Sequence, residues 1–261
     1  MNHSLLLNRI TLLIATVAAT PVLAEEDSMP RWGLGAGAIA SASPYAGRGT
    51  RYTPIPLITY DSERFFFRGI TAGVHLYDND LLSIDFLAEG NFGGIDADDF
   101  GRRDLALNGI DRDLLEDRDD SVDVGFEAQL QGRFGEFSLK VVADALDASG
   151  GYEASAEYGY PLEFGERLTV TPTIGVSWLS ADTADYYYGT LDEEVARGVV
   201  SYRPGSATIP KIGLDLEYNF ADKWLLLGNV TYTLLPSKVG DSPLLESDSA
   251  TGVMIGVLRA F

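Results

Sequence analysis

The chain has 261 residues, a formal net charge of −20 and no cysteine. The lack of cysteine excludes disulfide bonds, and so acidic a chain is a poor match for the phosphates of nucleic acid, which we exclude as a partner. The 13 tyrosines and 12 phenylalanines favour strands over helices, and the composition is that of an all-β protein.

The N-terminus has the parts of a secretory signal peptide: Arg9 in a polar start, an apolar run over residues 10–19, and small residues before a cleavage point after Ala24. After it, no apolar run approaches the ~18 residues that a membrane-spanning helix needs, so only strands could cross a membrane. We therefore predict a signal peptide at residues 1–24 and a single outer-membrane β-barrel domain at residues 25–261.

Alternation of apolar and polar residues recurs along the rest of the chain. In "RLTVTPTIGVSWL", large apolar residues from Leu168 to Trp178 alternate with threonine, glycine and serine. Segments of this kind predict eleven strands, near residues 32–42, 52–60, 64–77, 82–92, 121–133, 136–147, 151–163, 167–180, 210–220, 224–235 and 250–261.

The connections between these segments favour a membrane barrel over a soluble sandwich. Short turns, such as residues 134–136 and 221–223, alternate with links as long as residues 93–120 and 181–210. Aromatic residues gather near the strand ends, as they do at membrane interfaces. The predicted fold is therefore all-β: a transmembrane, antiparallel, up-and-down β-barrel with short periplasmic turns and long extracellular loops.

The number of strands has to be even in a single-chain bacterial barrel, so one of the eleven segments is merged, split or missed. The most suspect stretch is "RYTPIPLITYDSERFFFRG". There, Pro54 and Pro56 cannot donate ladder hydrogen bonds, and Arg68 disturbs the apolar face. We predict 12 strands, with 10 as the alternative.

The chain ends on the strand-like "TGVMIGVLRAF", which places Val257 and the terminal Phe261 on one bulky face. A closing strand pairs with the first one, so it can run to the last residue without fraying. The aromatic end also resembles the signal read by the barrel-assembly machinery of Gram-negative bacteria. We predict Val257 and Phe261 as this signal, from which Arg259 departs.

Most of the charges that face the predicted lumen are acidic. The inward acidic residues are Asp85, Glu89, Asp123, Glu127, Asp144, Glu153, Glu157, Asp215 and Glu217, and the basic ones are Arg133, Lys140, Arg167 and Lys211. Charges in a narrow lumen are not left dry and unpaired. They therefore either pair and plug the lumen or surround water that favours cations.

No catalytic, metal or cofactor site is predicted, and the chain is interpreted as not being an enzyme. His75 is the one histidine after the signal peptide, no Gly-x-Ser-x-Gly motif accompanies it, and we interpret it as a hydrogen-bonded filler of the lumen. Asp96, Asp98 and Asp99 faintly resemble a calcium loop, but Leu107 stands where the closing glutamate is needed. A solvated rim loop is favoured, with cation bridging to lipopolysaccharide as the alternative.

The stretch "ADYYYGTLDEEVARGVVSYRPGSAT" resembles the D-Y-Y-x-G … E-A … Y-x-P-G signature of the MipA/OmpV family of MltA-interacting outer-membrane proteins. The matching residues are Asp185, Tyr186, Tyr188, Gly189, Glu194, Ala196, Tyr202, Pro204 and Gly205. "WGLGAGAIASASPYAGRG", with Pro44, Tyr45 and Gly47, is similar to the family's opening strand and first loop. The resemblance covers essentially the whole mature chain.

This resemblance implies an outer-membrane barrel without catalytic residues and, for the family's namesake, a scaffold that links a lytic transglycosylase to a murein synthase. We therefore predict a non-enzymatic scaffold in the outer membrane of a Gram-negative bacterium, with a small cation-preferring pore or ligand-binding barrel as the alternative. The expected partners are outer-membrane lipid and lipopolysaccharide, the barrel-assembly machinery and, by resemblance alone, the two murein enzymes.

The tyrosine-rich link is the candidate interaction loop. We predict that residues 181–210 pack against the lumen mouth, with Tyr186 to Tyr188 partly buried and Arg197 or Arg203 paired with rim carboxylates. The alternative is an aromatic girdle that continues past Trp178. The candidate residues are Asp185, Tyr186, Tyr187, Tyr188, Gly189, Arg197, Tyr202 and Arg203.

Overall fold

The computed structural model describes residues 31–261, and the predicted signal peptide lies outside the described residues. The strand segments are β1 (Trp32–Ala42), β2 (Thr50–Asp61), β3 (Phe65–Arg68), β4 (Thr71–Asp78), β5 (Leu82–Asn91), β6 (Ser121–Gly132), β7 (Gly135–Asp144), β8 (Tyr152–Gly159), β9 (Leu162–Phe164), β10 (Leu168–Leu179), β11 (Ala207–Ala221), β12 (Trp224–Leu234) and β13 (Ser249–Ala260).

These segments form one closed, antiparallel barrel. β8 and β9 both pair with β10 and are separated only by Tyr160 and Pro161, so they are two parts of one strand. Each other strand pairs with its neighbours in chain order, and the ladders β10 with β11 and β13 with β1 complete the ring. Thirteen segments, with β8 and β9 counted once, give 12 strands.

The predicted number of 12 strands is confirmed, and the segment that the sequence pattern had merged is residues 64–77. A two-residue turn at Gly69 and Ile70 divides it into β3 and β4. Gly69 has a φ of +64°, a conformation that glycine adopts without strain. Arg68 belongs to the inner face, where its guanidinium lies 4.6 Å from the centre of the Phe66 ring and 2.6 Å from the Asp61 carboxylate.

β2 continues through both of its prolines because they lie on a side of the strand that has few partners. β3 pairs only with Thr59, Tyr60 and Asp61 at the lower end of β2. The Gly69 N–H donates to the carbonyl of Ile58 (2.9 Å), so even-numbered residues of β2 direct their backbone groups toward this open side. Pro54 and Pro56 are even-numbered, and no ladder hydrogen bond to β1 is lost.

The two faces of the wall follow the predicted alternation. On β10, Ile174 is exposed on the outer face, whereas Thr173 lines the lumen. Aromatic pairs mark both rims: Tyr152 with Trp178 (5.4 Å) at the outer rim, and Trp32 with Tyr60 (4.6 Å) at the periplasmic rim. Apolar outer faces with aromatic belts are the pattern of outer-membrane barrels.

Strand β13 closes the barrel. β13 pairs with β1 along its length, and the N–H of Phe261 donates to the carbonyl of Trp32 at 2.8 Å. Phe261 lies on the outer face with Val257, and the Arg259 guanidinium lies 4.8 Å from the centre of the Phe261 ring. The last residue is thus held by both backbone pairing and side-chain contact.

The helices of the described chain lie in the loops at the outer rim. They are α1 (Arg102–Leu107), α2 (Ala181–Tyr188), α3 (Asp192–Ala196) and α4 (Ser237–Gly240), with single 3-10 turns at Ala97–Asp99 and Arg112–Leu114. No helix within residues 31–261 is long and apolar enough to cross a membrane. The opposite rim, where residues 31 and 261 lie, has only short turns and is the periplasmic one.

Candidate functional site

Four loops at the outer rim cover the mouth of the lumen, and we call them the lid: residues 43–49, 92–120, 180–206 and 235–248. The lid has its own hydrophobic core, with Phe100, Leu105 and Leu244 at 2% exposure or less. Burying each large apolar side chain stabilises a structure by ~1.5–3 kcal/mol. The lid is therefore a packed unit that closes the extracellular mouth.

The C-terminal end of α2 is the point at which the lid loops meet. The last carbonyls of a helix have no partner inside the helix and must be satisfied from outside. Here, the carbonyl of Tyr187 accepts from the Tyr45 hydroxyl (2.9 Å), that of Tyr188 from the Ser242 hydroxyl (2.6 Å), and that of Gly189 from Arg118 (3.1 Å). Each of the other three loops thus holds the same helix end.

Tyr45 is the anchor that the first loop contributes. Its side chain is 3% exposed, and its ring stacks on that of Tyr188, with the centres 6.2 Å apart and the planes 16° apart. A second contact, edge to face, joins it to Phe100 at 5.5 Å. Burial raises the pKa of Tyr45 to about 12, so its hydroxyl stays protonated and keeps donating at neutral pH.

A fully buried ion pair joins the second loop to the third. The side chains of Arg118 and Glu194 are both 0% exposed and form a bidentate pair, in which Arg118 Nη2 lies 2.9 Å from Glu194 Oε2. The other Arg118 donors reach the carbonyls of Tyr186, Glu116 and Gly189. Glu194 also accepts the N–H groups of Leu191 and Glu116, both at 2.8 Å.

Every hydrogen-bond donor of the Arg118 side chain is used. A guanidinium has five N–H donors, and all five have acceptors here. A buried charge that loses its partner costs far more than the pair gains. The pair therefore fixes one arrangement of the two loops.

The three consecutive tyrosines occupy different environments. The hydroxyl of Tyr186 accepts from the N–H of Asp119 at 2.7 Å. Tyr187 is 7% exposed, and within residues 31–261 its hydroxyl has no hydrogen-bond partner. Burial raises the pKa of Tyr187, and the nearby charge of Asp123 raises it further. Burial likewise raises the pKa of Tyr188, whose ring lines the top of the lumen with that of Tyr187.

The rest of the candidate loop is held by its own polar residues. Asp185 accepts the N–H of Gly205 at 2.7 Å, and Arg203 lies 3.7 Å from the Asp185 carboxylate and also pairs with Asp192. The Tyr202 hydroxyl donates to the carbonyl of Lys238 at 3.1 Å. The contacts of Asp185 and Arg203 hold residues 185–205 together, and that of Tyr202 joins them to the fourth loop.

Two further positions explain the composition of the loop. A side chain at Gly189 would meet the carbonyl oxygens of Asp185 (2.5 Å) and Tyr202 (2.8 Å), so only glycine fits. Arg197 pairs with Glu116 and donates to the carbonyl of Leu114 at 2.7 Å.

The structure confirms the predicted packing of the loop against the mouth of the lumen, the partial burial of its tyrosines and the pairing of its arginines. The loop ends earlier than predicted, because β11 starts at Ala207 rather than at residue 210. An interaction role for the loop stays a prediction.

Below the lid, the lumen holds a cavity of about 340 Å³. Its roof is formed by Tyr45, Tyr187 and Tyr188, and its wall belongs mainly to β5 through β11. Two lysines form ion pairs in the wall: Lys140 with Glu89 at 2.7 Å, and Lys211 with Glu157 at 2.6 Å. On the opposite wall, from β13 to β2, Gly256 leaves room for the side chain of Leu57, which would collide with a side chain at that position.

Two inward predictions were wrong, because Arg133 and Arg167 are exposed in periplasmic turns rather than directed into the lumen. Each follows the end of an alternating segment, where the chain leaves the wall and the inside–outside pattern no longer applies. The lumen therefore contains fewer basic side chains than the sequence pattern suggested.

His75 lies inside the lower part of the barrel in contact with two carboxylates. Its Nδ1 is 2.7 Å from Asp85 and its Nε2 is 3.4 Å from Asp61, while its ring lies 5.0 Å from that of Phe66. No serine hydroxyl contacts it in the described chain. The arrangement is that of a hydrogen-bonded, packed histidine.

The acidic second loop uses its carboxylates for arginine pairs. Asp99 lies 2.5 Å from Arg51 and 3.3 Å from Arg48, and Asp98 lies 2.9 Å from Arg112. Among residues 31–261, no group of three or more possible ligands could hold a metal ion. The faint calcium pattern thus corresponds to a set of ion pairs at the rim.

Sequence reasoning missed Arg118 and Ser242, the two residues that hold α2 from the second and fourth loops. Arg118 stands in "LLEDRDD", where it looks like one more charge in a solvated loop. Its role depends on contacts with residues that lie 68 to 76 positions further along the chain. Glu194, which belongs to the family signature, was the sequence signal that could have pointed to Arg118, because a buried glutamate needs a basic partner.

Comparison with known proteins places the chain in a family. The family described as MltA-interacting protein MipA matches residues 34–261. The chain belongs to this family. It is 31% identical over 235 residues to the MltA-interacting protein of Escherichia coli K12, covering 88% of this chain and 90% of that protein. It is 28% identical over 249 residues to the putative outer membrane protein YiaT of the same strain, covering 95% and 98%.

A solved structure agrees on the barrel fold of this MipA family member. The translocator domain of the autotransporter NalP from Neisseria meningitidis has a TM-score of 0.50 over 90% of both chains, at 12% identity. That likeness concerns the barrel alone. Together, the relatives named as outer membrane proteins and the apolar outer wall establish a protein of the Gram-negative outer membrane.

Proposed function

We propose that this MipA family member is a non-enzymatic scaffold that links a lytic transglycosylase to a murein synthase during cell-envelope assembly. The proposal is supported by the family, one of whose members is named for its interaction with MltA. The observation that favours a scaffold over an open pore is the packed lid, whose core and buried Arg118–Glu194 pair close the mouth of the lumen.

Murein enzymes work on the periplasmic side, so their contact surface is the rim with the short turns. Among the exposed aromatic side chains at this rim are Phe134 (50% exposed), in the turn after β6, and Phe164 (57% exposed), at the end of β9 next to the following turn. Exposed aromatic residues are frequent anchors of protein interfaces. The candidate interaction loop lies at the opposite rim, and we assign it to the lid and to contacts at the cell surface.

Site-specific crosslinking tests this assignment. A photo-reactive phenylalanine analogue replaces Phe134 or Phe164 in turn, and Val200, which is 55% exposed on the outer loop, serves as the matched control position. Illumination of intact cells is expected to give adducts with a lytic transglycosylase and a murein synthase from the two turn positions alone. Adducts with these enzymes from Val200, or none from either turn, would contradict the scaffold.

The alternative is a small cation-preferring pore, which the acidic lumen favours. A pore requires the lid to open, because Tyr45, Tyr187 and Tyr188 cover the cavity. Planar-bilayer recordings of the purified protein are expected to be silent. Stable unitary currents with selectivity for cations would replace the scaffold by the pore.

A further inference from the structure

Arg259 is a charged residue on the lipid-facing side of the strand that closes the barrel. On β13, Val253 and Ile255 are exposed on the outer face, and Arg259 follows them at the period of two. Trp224, which stands directly opposite on β12, is exposed on the same face. Because β12 starts at Trp224 and β13 ends at Ala260, this side chain lies at the periplasmic rim, at the level of the lipid headgroups of the inner leaflet.

Two aromatic rings hold the Arg259 guanidinium in place. Its central carbon lies 5.7 Å from the centre of the Trp224 ring and 4.8 Å from the centre of the Phe261 ring. A cation within about 6 Å of a ring centre is attracted by the π electrons. The strong hydrogen bonds of a guanidinium, however, go to oxygen acceptors, which these two rings do not offer. The rings therefore position the charge without using its N–H donors.

Arg259 forms no ion pair with a carboxylate of residues 31–261, that of Phe261 included. The arginines that do form such pairs belong to the lid or to the inner face of the wall. The side chain of Arg259 also donates no hydrogen bond to another described residue. A guanidinium carries five N–H donors. At the level of the headgroups, the acceptors that remain for them are those of lipid and water.

The phosphate of a lipid is the acceptor that fits this site. The planar guanidinium can bind two phosphate oxygens at once. The adjoining turn carries Asp222 and Lys223, whose charges cancel, so Arg259 supplies the net positive charge beside it. Further along the wall, the exposed outer face of β13 offers apolar side chains to acyl chains. Lipopolysaccharide does not reach this rim, since it occupies the outer leaflet on the side of the lid.

We propose that Arg259, clamped by Trp224 and Phe261, binds the phosphate of an anionic phospholipid of the inner leaflet, whose acyl chains lie against the outer face of β13. A headgroup with a net negative charge is preferred, because a zwitterionic headgroup neutralises its own phosphate. The site accounts for the charged residue by which this chain departs from the predicted assembly signal. It goes beyond the scaffold role and does not depend on it, since no murein enzyme takes part.

Native mass spectrometry of the purified barrel in a neutral detergent tests the site, with dioleoylphosphatidylglycerol and dioleoylphosphatidylcholine as probes. The two lipids share their acyl chains, and only the first has a net charge. We expect the wild-type protein to bind phosphatidylglycerol about fivefold more tightly, which is the gain from one basic residue at a charged lipid surface. Arg259→Gln should reduce this preference to less than about twofold, whereas Arg259→Lys, which keeps the charge but not the planar fork, should retain part of it.

The matched control is Arg167→Gln, which removes the same charge from an exposed turn at the same rim, where no aromatic ring of residues 31–261 holds the guanidinium, and it should leave the preference unchanged. Heat-modifiable migration identifies folded protein. If Arg259→Gln does not fold, Arg259→Leu decides the matter, since an apolar side chain suits the lipid-facing wall. Equal affinity of the wild type for the two lipids, or equal losses of preference in the Arg259 and Arg167 variants, would overturn the site.

Discussion

The two rims of the barrel are built in different ways. At the periplasmic rim, turns such as residues 133–134 and 222–223 join strands directly, and the wall ends with the ladder. At the outer rim, the lid adds helices, a hydrophobic core and a buried ion pair. The outer end of the barrel is therefore closed by loops that pack on one another, and not by the sheet itself.

This separation predicts that the lid can be opened while the barrel stays intact. The barrel is held by a continuous ring of backbone hydrogen bonds, which no single side chain controls. The lid is held by a few side-chain contacts that converge on α2. Substitutions in these contacts should therefore open the lid and leave the barrel folded.

Arg118→Ala should have the largest effect, since it leaves Glu194 as a buried charge without its partner. Breaking a buried pair in this way costs about 3–5 kcal/mol. Native-state proteolysis with proteinase K should show cleavage within residues 92–120 and 180–206 at least about 100-fold faster. Heat-modifiable migration should be unchanged, because the strands are not touched.

Arg102→Ala is the matched control for that substitution, because it removes an arginine from the same loop but from an exposed pair. The Arg102 pair with Asp113 has side chains 57% and 60% exposed. Pairs of this kind are screened by solvent and contribute little. Equal proteolysis rates in the two variants would mean that the buried pair does not hold the lid.

Replacing Tyr186, Tyr187 and Tyr188 together by serine should also open the lid. The triple variant removes the roof of the cavity, the stack on Tyr45 and the Asp119 contact. The barrel should fold, residues 180–206 should become sensitive to protease, and any contact made by this loop at the cell surface should weaken. If protease resistance survives, the three tyrosines are only a girdle at the rim.

How far the sequence could predict the molecule differs between the same two regions. Side chains of strands in lipid alternate between the two faces of the wall. The sequence therefore predicted that Thr173 faces the lumen and that Ile174 faces outward. The boundary that failed, Gly69 and Ile70, is a turn too short to interrupt an apolar run. Arg118 and Ser242 could not be found, because their roles arise from contacts between loops distant in sequence.

Deleting Phe261 should act at the opposite rim. The deletion removes the backbone hydrogen bond to Trp32 and the contact of Arg259 with the terminal ring. Because the terminal aromatic residue is also the predicted assembly signal, the appearance of heat-modifiable protein after a pulse of synthesis should slow. Once folded, the variant should keep a protease-resistant lid. Wild-type assembly kinetics would remove Phe261 from the signal.

Tyr45→Phe should have the smallest effect of the lid variants, because it removes one hydroxyl and keeps the ring that packs between Tyr188 and Phe100. The carbonyl of Tyr187 loses its donor, at a cost of about 0.5–1.5 kcal/mol, which corresponds to cleavage of residues 180–206 that is faster by about twofold to twelvefold.

The dependence of this effect on pH tests whether the Tyr45 hydroxyl is buried in the folded lid. A pKa raised to about 12 means that the protonated hydroxyl stabilises the lid. That contribution is fully present below the ordinary tyrosine pKa of about 10 and is lost as the pH rises toward the folded-state value. The difference between wild type and Tyr45→Phe in proteolysis should therefore be constant up to about pH 10 and shrink above it. A constant difference at all pH values would mean that the hydroxyl is not buried in the folded lid.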